Sequence, residues 1–308
     1  MALLTQTSVV GLDWGTTHRR AYALNAQGIC VQELSDNEGA LASKGRFPQA
    51  LALALQQLQV TPQLVVMAGM VGSALGWHEV PYVDDSVPLG ALARHLYAVN
   101  DAAGTAPCVM VPGYRVRNQW GQPDVMRGEE TQLLGAIALG HTSGWFVLPG
   151  THSKWVELKD ARIVQLRTYM TGELYELLSH HGTVAAAIGS APSVWDAAAF
   201  ADGVRAAGQG TLSHQIFSCR ARVVCGDMPA ASTKAYLSGL LIGSELQDVM
   251  RGPQGAPLTT QFKLICSPEL AVHYQTAASQ LHLATEVLDA KAAFIAAIAH
   301  LQSTWTSV

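Results

Sequence analysis

Short apolar runs alternate along the chain with segments in which apolar residues recur every three or four positions. Val9, Val10 and Leu12 read as a buried strand, and His18 to Leu24 as the strand that returns from it. Phe47 to Leu58 carries Leu51, Leu55 and Leu58 on one stripe, which predicts an amphipathic helix. Residues 63–73 (QLVVMAGMVGS) predict a buried strand running into a glycine-rich loop, and residues 106–113 (APCVMVPG) another strand. Glu129 to Leu139 predicts a helix with Gly135 and Ala136 on its inner side. Farther on, TGELYELLSHH predicts a helix with Thr171 as its N-cap, and residues 232–246 a strongly apolar helix. QFKLICSPELAVHYQTA reads as a strand turning into a helix, and an alanine-rich helix starts near Asp289. Strands alternating with helices predict an α/β fold.

The pattern also repeats. With Gly15 set on Gly150, an offset of 135 residues, Thr16 falls on Thr151, Arg19 on Lys154, and Asn25-Ala26 on Asp160-Ala161. Each copy reads apolar strand, Gly-Thr turn, strand, polar turn, strand, which predicts a duplicated domain. No linker separates the halves, so the boundary is expected near residue 141. The copies differ at one telling place: Asp13 maps onto Leu148, so only the first loop carries an acid.

Composition narrows the function classes. A chain of 308 residues can bury the cores of two domains, and 49% hydrophobic against 14% charged residues describes a globular protein. The net charge is −4 and no basic run exists, which argues against a nucleic-acid partner. The five cysteines (Cys30, Cys108, Cys219, Cys225, Cys266) are scattered and form no C-x-x-C, as expected of reduced thiols in a cytoplasmic protein. The N-terminus lacks the features of a signal peptide, and no window predicts a membrane span.

The first turn, DWGTTHRR, holds one carboxylate, one permissive glycine and two hydroxyls. Successive N–H groups in such a turn can cradle an anion, and a carboxylate beside an anion makes sense when a cation such as Mg²⁺ lies between them. On these residues alone an ordinary hairpin is the more economical reading. The second Gly-Thr loop changes the balance. Two such loops can clamp a polyphosphate, with one Asp positioning the metal.

DWGTTHRRAY, AGMVGSALGW, VMRGEETQLLGA, LPGTHSKWV, MTGEL and YLSGLLIGSEL resemble the 2-dehydro-3-deoxygalactonokinase family, within the sugar kinase–actin–heat-shock-ATPase superfamily. The resemblance runs from about residue 9 to the C-terminus. It implies duplicated ribonuclease-H-like (actin-like ATPase) domains with a cleft between them. Residues 1–140 would carry the first phosphate loop and the sugar-acid site, and residues 141–308 the second phosphate loop and the adenosine loop. The last helix, about 289–301, would pack back towards the N-terminal domain. The implied reaction is ATP-dependent phosphorylation of 2-dehydro-3-deoxy-D-galactonate at its terminal hydroxyl.

By the same resemblance Asp13, Gly15, Thr16 and Thr17 form the first phosphate loop, with Asp13 holding Mg²⁺. Gly150, Thr151, His152, Ser153 and Lys154 form the second. LICSPEL resembles the adenosine loop, with Cys266 where relatives usually have Gly. Gly135 and Ala136 resemble the close-packed point of the first interdomain helix, and the last helix offers Ala296 and Ala297 in place of the expected glycine. Among residues with chemistry, Arg127 is expected to bind the substrate carboxylate, and Glu129 or Glu130, with preference for Glu129, to accept the hydroxyl proton. Two acids opening a helix can also serve only its dipole. Gly69, Gly72 and Ser73 are expected to let a loop approach the sugar acid, and Trp77 either to cover it or to be core. Glu173 is a supporting candidate. The alternatives are a kinase for another sugar acid or hexose, and a non-catalytic actin-like nucleotide-binding protein. The expected partner is a small molecule, with no membrane, and homo-oligomerisation is left open.

Overall fold

Val9, Val10, Leu12 and Trp14 are fully buried, as an apolar run must be when a strand is covered on both faces. They lie in the first strand of a computed structural model that describes residues 8–305, apart from 103, 105, 119, 191, 193–194 and 252–257. In chain order the elements are β1 (Val9–Trp14), β2 (Arg19–Leu24), β3 (Cys30–Asp36), α1 (Phe47–Leu58), β4 (Leu64–Gly69), β5 (Val83–Asp84), β6 (Tyr97–Val99), β7 (Cys108–Met110), β8 (Tyr114–Arg117), β9 (Pro123–Met126) and α2 (Glu129–Ala138). There follow β10 (Gly144–Leu148), β11 (Ser153–Lys159), β12 (Arg162–Tyr169), α3 (Thr171–His180), α4 (Gly182–Ile188), α5 (Ala197–Ala207), α6 (Leu212–Val224), α7 (Thr233–Met250), β13 (Gln261–Cys266), α8 (Pro268–Gln280), β14 (Ala284–Asp289) and α9 (Ala290–Thr304).

The first sheet has the order β3-β2-β1-β4-β7-β6, with β1 antiparallel to β2 and parallel to β4. The second has the order β12-β11-β10-β13-β14, with β10 parallel to β13. In each, three consecutive strands lie side by side and the first takes a parallel neighbour. The fold is therefore α/β and duplicated in the actin-like manner, as the repeated Gly-Thr stretches predict. A third, small sheet orders β5-β8-β9.

Internal contacts divide the chain into two compact units. One holds residues 1–144, 156–167 and 288–308; the other holds 145–155 and 168–287. The core of the first gathers Val10, Leu12, Trp14, Phe47, Leu51, Leu58, Val65 and Met67. The core of the second gathers Trp145, Trp155, Phe200, Tyr236, Leu240, Leu264 and Tyr274. Helices α5 and α6 pack in the second unit and bury Phe200, Val204 and Cys219.

Helix α9 belongs to the first unit and packs on α2. At the contact, a Cβ on Gly135 would lie 1.7 Å from the Ala293 carbonyl oxygen. The partner of Gly135 is thus Ala293 rather than Ala296 or Ala297. Ala293 lies one turn earlier on the buried face that also carries Phe294, Ala297, Ile298 and Leu301. Gly135→Ala should push the two helices apart and destabilise the protein by about 1–3 kcal/mol, the usual range for overpacking. Urea unfolding followed by far-UV circular dichroism checks this, and an unchanged midpoint would show that the helices separate at no cost.

Candidate active site

In the first unit, β1 and β4 run in register, with Asp13 beside Ala68 and Trp14 beside Gly69, so their C-terminal ends finish together. Open parallel sheets bind ligands at that edge. The turn leaving β1 closes with Gly15 N donating to His18 O at 2.9 Å, and Thr16 and Thr17 are exposed. A second stretch of backbone braces it. Ala40 N donates to Gly15 O at 2.9 Å and Leu41 N to Thr16 O at 3.1 Å, while a Cβ on Gly39 would lie 2.4 Å from the Thr17 carbonyl carbon. Asp13 is half-buried, and Arg20 Nη1 approaches its Oδ2 to 3.4 Å. Burial raises the Asp13 pKa, opposed by the Arg20 charge.

The start of α2 meets the same edge. Gly128 has φ of 108°, and a Cβ there would lie 3.2 Å from Gly69 Cα. Glu129 is half-buried and its Oε2 accepts from Arg127 N at 3.0 Å. Glu130 is fully buried; its Oε2 accepts from Gly128 N at 2.7 Å and its Oε1 from Thr131 Oγ1 at 3.1 Å. Burial, reinforced by the charge of Glu129, pushes the Glu130 carboxyl up to about 8. The Arg127 guanidinium lies 4.3 Å over the Tyr82 ring, and Nη2 donates to Val80 O at 2.7 Å. Its Nε and Nη1 are buried with no hydrogen-bond partner, and a Cβ on Gly72 would come within 3.0 Å of Nη1. Ser73 spends its hydroxyl on its own turn, donating to Met70 O at 2.8 Å. Trp77 lies parallel to Phe47 at 6.1 Å, stacks on His78 at 5.8 Å, and donates from Nε1 to Asp101.

In the second unit, Gly150, Thr151 and His152 are exposed, whereas Ser153 and Lys154 turn inward. Lys154 Nζ donates to Thr168 Oγ1 at 2.9 Å. The loop is braced as the first one is: a Cβ on Gly172 would lie 2.4 Å from Gly150 O, and Glu173 N donates to Thr151 O at 2.9 Å. The Glu173 carboxylate also reaches His152 Nε2 at 2.5 Å. Thr171 is the first residue of α3 rather than its N-cap, a position taken by Met170. Its hydroxyl is drawn instead to a buried carboxylate, donating to Glu245 Oε2 at 2.6 Å. A cavity of about 350 Å³ adjoins the loop, lined by Gly150, Thr171, Gly172, Lys234, Ser238, Trp195 and His273 among others. Cys266, at the end of β13, points into the core, and burial pushes its thiol up to about 11.

Residues 13–301 match the family model described as 2-keto-3-deoxy-galactonokinase. The chain belongs to that family. It is 37% identical over 239 residues to the 2-dehydro-3-deoxygalactonokinase of Escherichia coli (strain K12), covering 77% of this chain and 78% of that one. A Rhizobium meliloti (strain 1021) protein named as a probable 2-dehydro-3-deoxygalactonokinase is 34% identical over 285 residues, 91% of each. A crystal structure of a protein from Sinorhizobium meliloti, titled for the same kinase, superposes with a TM-score of 0.86 at 31% identity, over 97% of this chain and 98% of that one.

Of the expected kinase residues, the structure brings Asp13, Gly15, Gly69, Arg127, Glu129 and Glu130 to one edge of the first unit. Gly150 lines the cavity of the second, and Thr151 follows it on the exposed turn. Sequence reasoning passed over Glu245 and Tyr274, which stand behind the second loop. The signal was present in YLSGLLIGSEL: one acid on the apolar face of an otherwise apolar helix. Glu130 yields a pH prediction. Its folded pKa lies above the unfolded carboxyl value, so the native state holds the extra proton and stability falls as pH rises from about 4.5 to about 8. Glu130→Gln keeps a neutral group there. Its melting temperature should therefore gain on wild type across that window and the difference should level off above it. Parallel melting curves for the two proteins from pH 5 to 9 would show Glu130 to be ionised throughout.

Proposed function

We propose that the protein transfers the γ-phosphoryl group of ATP to the 6-hydroxyl of 2-dehydro-3-deoxy-D-galactonate, in galactonate catabolism in the cytoplasm. The observation that carries this reading is Arg127. A buried guanidinium with two partnerless nitrogens stands two residues before Glu129, at the strand edge that also presents Asp13. A sugar acid brings the carboxylate that this cation lacks, whereas a neutral hexose would leave it unpaired. Family membership and the close structural likeness support the same chemistry.

In the proposed step the sugar hydroxyl oxygen bonds to the γ-phosphorus, the bond to the β,γ-bridging oxygen breaks, and ADP leaves. The hydroxyl proton passes to Glu129. Glu129 is preferred to Glu130 because it is partly exposed, while Glu130 is sealed from solvent and already protonated at neutral pH. The Gly15–Thr17 and Gly150–Thr151 turns, with Thr16, Thr17, Gly150 and Thr151 exposed, offer N–H and hydroxyl donors to phosphate oxygens. Ser153 and Lys154 are assigned to the support of the second turn, and Cys266 to the base of the adenosine loop. Gly69 and Ser73 shape the loop over Arg127, and Trp77 backs it.

Mg²⁺ fits Asp13: a half-buried carboxylate whose desolvation a cation would relieve, with no cluster of three ligating side chains among the described residues. That is the pattern of an ion held by one carboxylate, water and phosphate. When bound, it would neutralise charge on the transferring phosphoryl group.

A coupled ADP-release assay over a panel of 2-keto-3-deoxy sugar acids and free hexoses tests the proposal. Turnover should require the sugar acid, and comparable turnover with a neutral hexose would overturn the reading. Arg127→Ala should raise KM for the sugar acid about ten- to a hundredfold with little change for ATP, the loss expected for a charge-assisted contact. Equal effects on both substrates would place Arg127 in the scaffold. Glu129→Gln should lower kcat by about 10²–10⁴ with ATP binding retained. Normal turnover would show that the proton goes elsewhere.

A further inference from the structure

The second unit buries one carboxylate among four neutral donors. Glu245, on α7, is 1% exposed. Its Oε1 accepts from Ser153 Oγ at 2.7 Å and Trp155 Nε1 at 2.5 Å, and its Oε2 from Thr171 Oγ1 at 2.6 Å and Tyr274 Oη at 3.0 Å. Among the described residues no cation pairs with it; burial raises its pKa and the four hydrogen bonds oppose that rise. A carboxylate buried this way costs more than an apolar residue of similar volume, so stability alone does not account for it. Its partners have something else in common. Ser153 follows the Gly150–His152 turn directly. Thr171 precedes Gly172 and Glu173, the two residues whose backbone presses on and hydrogen-bonds that turn. Tyr274 is a wall of the 350 Å³ cavity, and α7 lines it with Lys234 and Ser238.

We infer that Glu245 is a positioning residue for the phosphoryl donor, tying the Gly-Thr turn, the start of α3 and the cavity wall into one preset shape. The inference rests on the proposed reading of that turn as a nucleotide phosphate site. Glu245 touches neither nucleotide nor sugar acid. It fixes where the turn's donors point, so its loss should be felt in nucleotide binding and turnover and not in binding of the sugar acid.

The test compares Glu245→Leu and Glu245→Gln with wild type, using ATP and the sugar acid as variable substrates and ATP titration calorimetry. Leu fills the space and removes all four hydrogen bonds. A glutamine oxygen can still accept from Trp155 and Ser153 while its amide donates to the Thr171 and Tyr274 oxygens, since hydroxyls both donate and accept. Glu245→Leu should raise the ATP KM and Kd by about tenfold or more and leave the sugar-acid KM within about twofold, a split that a general loss of stability does not produce. Glu245→Gln should recover most of the loss. Should the Leu variant fail to fold, Thr171→Val removes one donor at constant volume and should raise the ATP KM about three- to tenfold, the worth of one hydrogen bond. Folded Leu or Val variants with unchanged ATP constants, or equal effects on both substrates, overturn the inference. Wild type that turns over but binds no ATP by calorimetry overturns the phosphate-site reading itself, and this inference with it.

Discussion

Each Gly-Thr turn is held by a backbone that comes closer than a side chain would allow. Gly39 lies against Thr17 in the first unit, and Gly172 against Gly150 and Thr151 in the second, both at distances where a Cβ would overlap. Backbone N–H groups complete each brace, from Ala40 and Leu41 in one case and from Glu173 in the other. A turn that cradles an anion must aim several N–H groups at one point without the ligand's help. Bracing by backbone supplies that rigidity and leaves the turn's outer face open. The consequence reaches beyond the turns, because the stretch after the third strand of each meander must return to the same edge.

The cations that follow the turns show the same economy. Arg19 and Lys154 occupy equivalent places in the repeat, and both are buried. Arg19 pairs with Asp36 at 2.6 Å and donates to Ala50 O, while Lys154 donates to Thr168. Asp36 and Thr168 both stand near the end of the third meander strand, β3 and β12. Each long cationic side chain therefore ties its second strand to its third, directly behind the turn. A lysine after a Gly-Thr loop invites assignment to a phosphate; burial and its hydroxyl partner give it an additional structural task.

Much of this was legible in the sequence because the relevant signals are local. The strand runs at Val9 and Phe146, the Gly-Thr turns and the stripe of Leu51, Leu55 and Leu58 fix the elements by period and turn chemistry. The offset of the two turns announced the duplication. Less visible was anything that depends on which surfaces meet. The partner of Gly135 shifted by one turn of α9 because several alanines there are equally small. Thr171 has the chemistry of an N-cap, yet a buried carboxylate 74 residues later takes its hydroxyl. For Glu129 and Glu130 the sequence offers two adjacent acids and no means to rank their burial. The structure separates them, with one half-exposed and the other sealed behind Gly128 and Thr131.

Asp13, Glu130 and Glu245 differ in what surrounds them. Asp13 keeps partial exposure and one distant cation, so a further positive charge would relieve it. Glu130 is sealed from solvent and has the negative charge of Glu129 beside it, so its carboxyl is pushed up to about 8. Glu245 is sealed from solvent, and four donors converge on it. The duplicated turn thus has its acid in different places in the two copies. In the first copy the acid ends the strand, where ions can reach it. In the second that position is Leu148, buried in the sheet, and the acid comes from α7 behind the turn. If the turn holds phosphates as proposed, a second acid at the strand end would repel them, whereas one with all its lone pairs engaged behind the turn can order the donors without facing the ligand. Duplication supplied two equal frames, and the placement of one carboxylate made them unequal.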